Sequence, residues 1–115
     1  MYKIERKTIV ENVKRMLLES VKTLDKEVLD SFEKGRDNET NFLAKSILNK
    51  IIENHEIANS KDIPLCQDTG LVVCFLEIGR ELSFDYDLEV AINTGVSQAY
   101  IDGYLRKSVV KHPLN

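Results

Sequence analysis

Tryptophan is absent from this 115-residue sequence, proline and cysteine each occur twice, and glycine occurs five times. Two cysteines cannot build a disulfide framework. Cys66 and Cys74, with seven residues between them, match neither a C-x-x-C redox motif nor the spacing of a zinc-ligand pair. No stretch approaches the ~20 apolar residues of a membrane span, and no apolar signal region follows Met1-Tyr2-Lys3-Ile4-Glu5-Arg6. A cytoplasmic protein is expected. An excess of positive charge is also missing: 16 Lys+Arg face 19 Asp+Glu, a formal net charge of −3, which argues against nucleic acid or a membrane surface as partner. What is present, 43% hydrophobic and 30% charged residues, is the composition of one folded domain with a modest core.

Periodicity predicts an α+β chain dominated by helix. Val10, Val13, Leu17, Val21 and Leu24 recur at three- and four-residue spacing, with Lys14, Arg15, Glu19 and Lys22 on the other face, so residues 4–22 read as one amphipathic helix. Thr23 or Asp25 caps a second, shorter helix that buries Val28, Leu29 and Phe32 and stops at Gly35; the two make a helical hairpin. Asn38 is the expected N-cap of a third helix, whose stripe of Ala44, Ile47, Leu48, Ile51, Ile52 and Ala58 runs to Asn59. His55 borders that stripe and reads as a core-edge histidine bonded to backbone, without a chemical role.

Proline and glycine are sparse until residue 64, where the chain changes character. Pro64 disfavours helical geometry at Ile63. Leu71-Val72-Val73-Cys74-Phe75-Leu76-Glu77-Ile78 then reads as a strand buried on both faces and ended by Gly79, with Cys74 a small buried hydrophobe. Asp85 or Asp87 opens a fourth helix carrying Leu88, Ala91, Ile92, Val96, Ala99 and Tyr100. Gly95, Ala99 and Gly103 form a row of small residues at spacing four. Such a row signals either close packing, within the chain or across a dimer, or a break near Gly95. The expected organisation is helical over 1–60, loop and strand over 61–86, and a further helix with a Tyr-Leu-Arg block over 87–115.

Leu65-Cys66-Gln67-Asp68-Thr69-Gly70 sets a thiol, an amide, a carboxylate and a hydroxyl side by side ahead of the strand. A thiolate can ligate iron, an amide can bind a substrate oxygen, and an aspartate can move a proton. An Asx-type turn holding a half-buried cysteine explains the same pattern equally well.

Ile63-Pro64-Leu65-Cys66-Gln67-Asp68-Thr69-Gly70 resembles the leading signature of the class I fumarase and L-tartrate dehydratase family of iron–sulphur hydro-lyases. Gly95-Val96, Ala99-Tyr100 and Gly103-Tyr104-Leu105-Arg106-Lys107-Ser108-Val109-Val110 with His112-Pro113-Leu114 are similar to that family's next block. The two blocks stand in the family's order. The resemblance implies the N-terminal part of an α-type catalytic domain or subunit, with a [4Fe–4S] cluster held by three cysteines and one iron open as a Lewis acid. It implies Cys66 as a cluster ligand, Gln67 and Asp68 as substrate-contacting residues with Asp68 in proton transfer, and Arg106 as the partner of a substrate carboxylate. It also implies a C4 dicarboxylate substrate, a β-type domain or subunit as partner, and a homodimer of α-type parts or a heterotetramer.

Reversible hydration of fumarate to L-malate is the first expectation and L(+)-tartrate dehydration the second. The sequence reaches its end where the family continues to two further cluster cysteines, so this chain alone is expected to be inactive. Two readings from other classes compete: a non-catalytic binding or assembly module in which the Cys-Gln-Asp segment is only a turn, and thiol redox chemistry between Cys66 and Cys74. Without the resemblance Arg106 is a surface or helix-C-terminal arginine; Lys107 reads as part of a solvated face, and Asp102 and Glu77 as solvated or capping groups.

Overall fold

Carboxylate and amide side chains immediately ahead of an apolar-periodic stretch set two of the helix starts. In the computed structural model, which describes residues 1–66, 70–112 and 114, Asp87 accepts from the Val90 N–H at 3.1 Å and Asn41 from the Ala44 N–H at 3.1 Å. Each satisfies a first-turn donor that the helix itself leaves unpaired. The elements in chain order are β1 (Tyr2–Lys3), α1 (Arg6–Ser20), α2 (Lys26–Asn38), α3 (Phe42–Lys61), β2 (Leu82–Ser83) and α4 (Leu88–Asp102). The described residues are thus mostly helical with one two-stranded parallel sheet, an α+β arrangement. No helix among them is long and apolar enough to cross a membrane.

The chain divides into two compact units. One comprises Met1–Leu18 and Asp68–Asn115. Its sheet pairs Tyr2 with Leu82 and Lys3 with Ser83, extended by the Tyr2 N–H donating to the Glu81 carbonyl at 2.7 Å. Its core lies along one face of α4, where Ala91, Gly95 and Ala99 are buried. The small-residue row is close packing within the chain: a Cβ on Gly95 would stand 2.7 Å from the Val10 carbonyl oxygen and 2.9 Å from the Val13 Cβ of α1. The helix runs unbroken through Gly95. Arg6 donates to Thr94 Oγ1 at 2.9 Å, and Lys14 pairs with Asp102, so Asp102 has a partner rather than only solvent. Phe84 and Tyr86 meet edge to face at 5.8 Å. The Tyr86 hydroxyl is buried without a hydrogen-bond partner, and burial, reinforced by Asp85 and opposed by Arg6, pushes its pKa up.

The second unit, Glu19–Gln67, is built on α2 packed against α3, with Gly35 beside Leu48. The helical hairpin of this unit is formed by α2 and α3. Gly35 does not stop α2, which runs on to Asn38, and α3 takes Asn41 rather than Asn38 as its cap. The reason is local: Glu39 Oε1 accepts from the Thr40 and Asn41 N–H groups at 3.0 and 2.9 Å, fixing a turn where continued helix was expected. Val28 is exposed, and Leu29 and Phe32 are only half-buried.

One expectation fails outright. Leu71–Ile78 is not a buried strand: every residue in it is exposed, Leu71 at 74% and Phe75 at 94%, and no strand is formed. A strand needs a neighbour for its N–H and C=O groups. The strands found among the described residues are two residues long and already paired to each other. Cys74 is accordingly exposed rather than buried.

Candidate functional site

Cys66 is held by its backbone. At the end of α3, Asp62 takes a left-handed conformation (φ 54°), and its N–H and that of Ile63 both donate to the Ala58 carbonyl. This turn sends Ile63-Pro64-Leu65-Cys66 off the helix end. Leu65 is then fixed twice, by its N–H donating to the Val21 carbonyl at 2.7 Å and by burial of its side chain to 8% exposure. The Cys66 N–H donates to Asn54 Oδ1 at 3.0 Å, leaving the thiol exposed. The acceptor strip around Val21 is itself tied to α3. Asn59 Nδ2 donates to the Lys22 carbonyl, Thr23 Oγ1 donates to Asn59 Oδ1, and Lys22 pairs with Asp62. His55 Nδ1 accepts from the Leu24 N–H at 3.4 Å, the structural role expected of it.

Gln67, Asp68 and Thr69 lie outside the described residues, as does Pro113. Arg106 belongs to the other unit. There the helix α4 closes at Gly103, whose N–H donates to the Ala99 carbonyl at 2.8 Å; Tyr104 follows with φ 53°, and the Leu105 N–H returns to the Tyr100 carbonyl at 3.0 Å. Leu105 is half-buried and Arg106 exposed, its guanidinium free of ion-pair and hydrogen-bond partners among the described residues. A free, exposed guanidinium can grip a carboxylate through two parallel N–H bonds.

Two residues here escaped the sequence reading. Asn54 positions Cys66, and its only trace in the sequence is a polar residue set within an apolar-periodic helix. Lys107, expected to face only solvent, lines a cavity of about 500 Å³ within its unit, together with Val72, Cys74, Ile92, Val96 and Tyr100. Cation, thiol and phenol thus share one lining.

An exposed thiol on a fixed backbone and a free arginine are the groups marked by the two sequence blocks. Residues 10–115 match the family model described as fumarate hydratase (Fumerase). The chain belongs to the fumarate hydratase family. Among its curated relatives, a protein of Methanocaldococcus jannaschii provisionally named L(+)-tartrate dehydratase subunit alpha is 37% identical over 93 residues, 79% of this chain and 32% of the relative. The L(+)-tartrate dehydratase subunits alpha of Escherichia coli O157:H7 and K12 are 28% and 27% identical over 85 residues, 74% of this chain and 28% of each relative. The chain therefore spans about a third of the length of the relatives it matches. No solved structure matches it.

No group of three or more His, Cys, Asp or Glu able to hold a metal ion occurs among the described residues. These residues do not by themselves fit a [4Fe–4S] cluster, which is held by several thiolates. Cys66, an exposed thiol held from its own backbone, fits as one ligand of such a set.

Proposed function

We propose that this chain is part of the α-type catalytic portion of an iron–sulphur hydro-lyase that reversibly hydrates fumarate to L-malate. The observation that carries the reading is Cys66: an exposed thiol whose backbone is anchored to Asn54 and Val21 through its own N–H and that of Leu65, in the block that resembles the signature of the iron–sulphur hydro-lyases. The match to the fumarate hydratase family model over residues 10–115 supports it. Cys66 would contribute one ligand to a [4Fe–4S] cluster whose other ligands come from polypeptide beyond these residues. Such a cluster supplies a Lewis acid for a hydroxyl.

The chain's own residues then have separate tasks. Arg106 pairs with a carboxylate of the C4 dicarboxylate, its exposed fork able to engage both oxygens. Gln67 offers amide hydrogen bonds to the same substrate. Asp68 exchanges the proton on the carbon next to the carboxylate, or orients the group that does. A β-type domain or subunit completes the site, and the α-type parts associate as a homodimer or within a heterotetramer. Without those parts this chain is inactive.

L(+)-tartrate is the second substrate reading, favoured by the names of the curated relatives. The deciding experiment joins this chain to the polypeptide that completes the family length, reconstitutes it anaerobically with iron and sulphide, and compares native protein with Cys66→Ala. Visible cluster absorbance and fumarate hydration in the native protein, both lost in the variant, are expected. Cluster formation with turnover of tartrate alone transfers the assignment to tartrate. A cluster and activity untouched by Cys66→Ala would overturn the role of Cys66 and leave the Cys-Gln-Asp segment a turn in a binding module.

A further inference from the structure

Leu71–Ile78 combines two properties that folded proteins rarely leave together. Its eight residues form no hydrogen bond among the described residues, and all are exposed. Its composition is that of a central strand, with Val72, Val73, Phe75 and Ile78 as strong β-formers and Glu77 as its single charge. An unpaired, apolar, nearly uncharged stretch of backbone is a template for strand addition, which native proteins normally cover or charge.

The surroundings within its unit show which side is already provided for. Leu71, Val72 and Cys74 help line the cavity that Ile92, Val96 and Tyr100 of α4 also line. In a strand Val73 and Phe75 would share a face with Leu71 and point away from Val72 and Cys74; Val73 and Phe75 are 68% and 94% exposed and take no part in the lining, which Leu71 reaches only from the segment's first position. A turn closed by the Leu82 N–H on the Gly79 carbonyl at 3.2 Å leads from the segment into β2. The segment therefore has helix on one side and, among the described residues, no partner on its hydrogen-bonding edges.

The curated relatives have about three times the polypeptide that this chain matches. We propose that Leu71–Ile78 is a docking strand: it becomes a sheet strand by pairing with an edge supplied by the polypeptide equivalent to the relatives' unmatched portion. Val73 and Phe75 then form the apolar face that this polypeptide covers. The proposal stands on family membership and not on which substrate is turned over.

Amide hydrogen exchange read by mass spectrometry tests it, on this chain alone and on chimaeras joining it to the unmatched portion of the Methanocaldococcus jannaschii or Escherichia coli relative. In the chain alone, residues 71–78 exchange as an unstructured peptide does. In a chimaera their exchange slows at least about 100-fold, the protection of a sheet strand. Val73→Pro, which deletes one ladder N–H, removes that protection while leaving the helices of the isolated chain as protected as before. Fast exchange over 71–78 in both chimaeras would overturn the proposal. So would slowing in the chain alone that grows with protein concentration, because the occupant would then be a second copy.

Discussion

The backbone on the two sides of residues 67–69 is treated in opposite ways. Before them, Leu65 and Cys66 each have a hydrogen-bonded N–H, and Leu65 is buried. After them, Leu71–Ile78 has no hydrogen bond among the described residues, and every residue in it is exposed. By composition the second stretch is the more apolar, so hydrophobicity alone did not decide which was tied down. Availability of partners did. Leu65 and Cys66 find theirs on a helix and its neighbouring connection, within the same unit, whereas a strand needs another strand.

Substitutions can press this contrast from its strongest effect to its weakest. Gly95→Val drives side-chain atoms into the Val10 carbonyl and Val13. It should destabilise the unit by about 3 kcal/mol in urea unfolding, showing that this unit is held by helix packing despite its bare segment. Leu65→Ala empties a buried position and is expected to cost about 2 kcal/mol, whereas Phe75→Ala, on the other side of the contrast, should stay within about 0.5 kcal/mol of native. Equal losses from the two would abolish the distinction. Asn54→Ala removes the acceptor of the Cys66 N–H and should cost about 1 kcal/mol, with faster exchange of that amide and faster alkylation of its thiol.

The smallest effect concerns Tyr86. Its pKa is raised above 10.0 in the folded chain, so the folded state holds this proton more tightly than the unfolded state. The stability from this source is complete below pH 10.0 and is lost as pH rises through the folded value. Tyr86→Phe should flatten that alkaline fall and, by deleting an unpartnered buried hydroxyl, raise the melting temperature slightly at neutral pH. An unchanged alkaline profile would show that the phenol is not the group responsible.

Helices were legible in the sequence because their signal is local. The stripe from Ala44 to Ala58 and the cap at Asp87 need only neighbours three or four positions away. Boundaries slipped where a second local bond competed: Glu39 bonding the Thr40 and Asn41 N–H groups displaced the start of α3 from the expected Asn38. The small-residue row announced close packing, but only the structure shows that Val10 and Val13 are what Gly95 approaches. Leu71–Ile78 was misread because composition reports a preference for strand and says nothing about who will pair with it. Cys66 and Arg106, each in its own unit, are singled out by two sequence blocks, and the structure describes both as exposed. Asn54 was not, because its bond to Cys66 spans twelve positions and leaves no periodic mark.

The bare segment also sets a timetable. Each helix forms through backbone bonds four residues apart and so appears early, while strand pairing with distant polypeptide comes late. Between those two moments an apolar stretch whose N–H and C=O groups have no partner among the described residues meets solvent, other nascent chains and further copies of itself. Yield in the cell is then a race between arrival of the covering polypeptide and clumping of the uncovered one. Slower synthesis, lower temperature or a holding chaperone should favour the first runner.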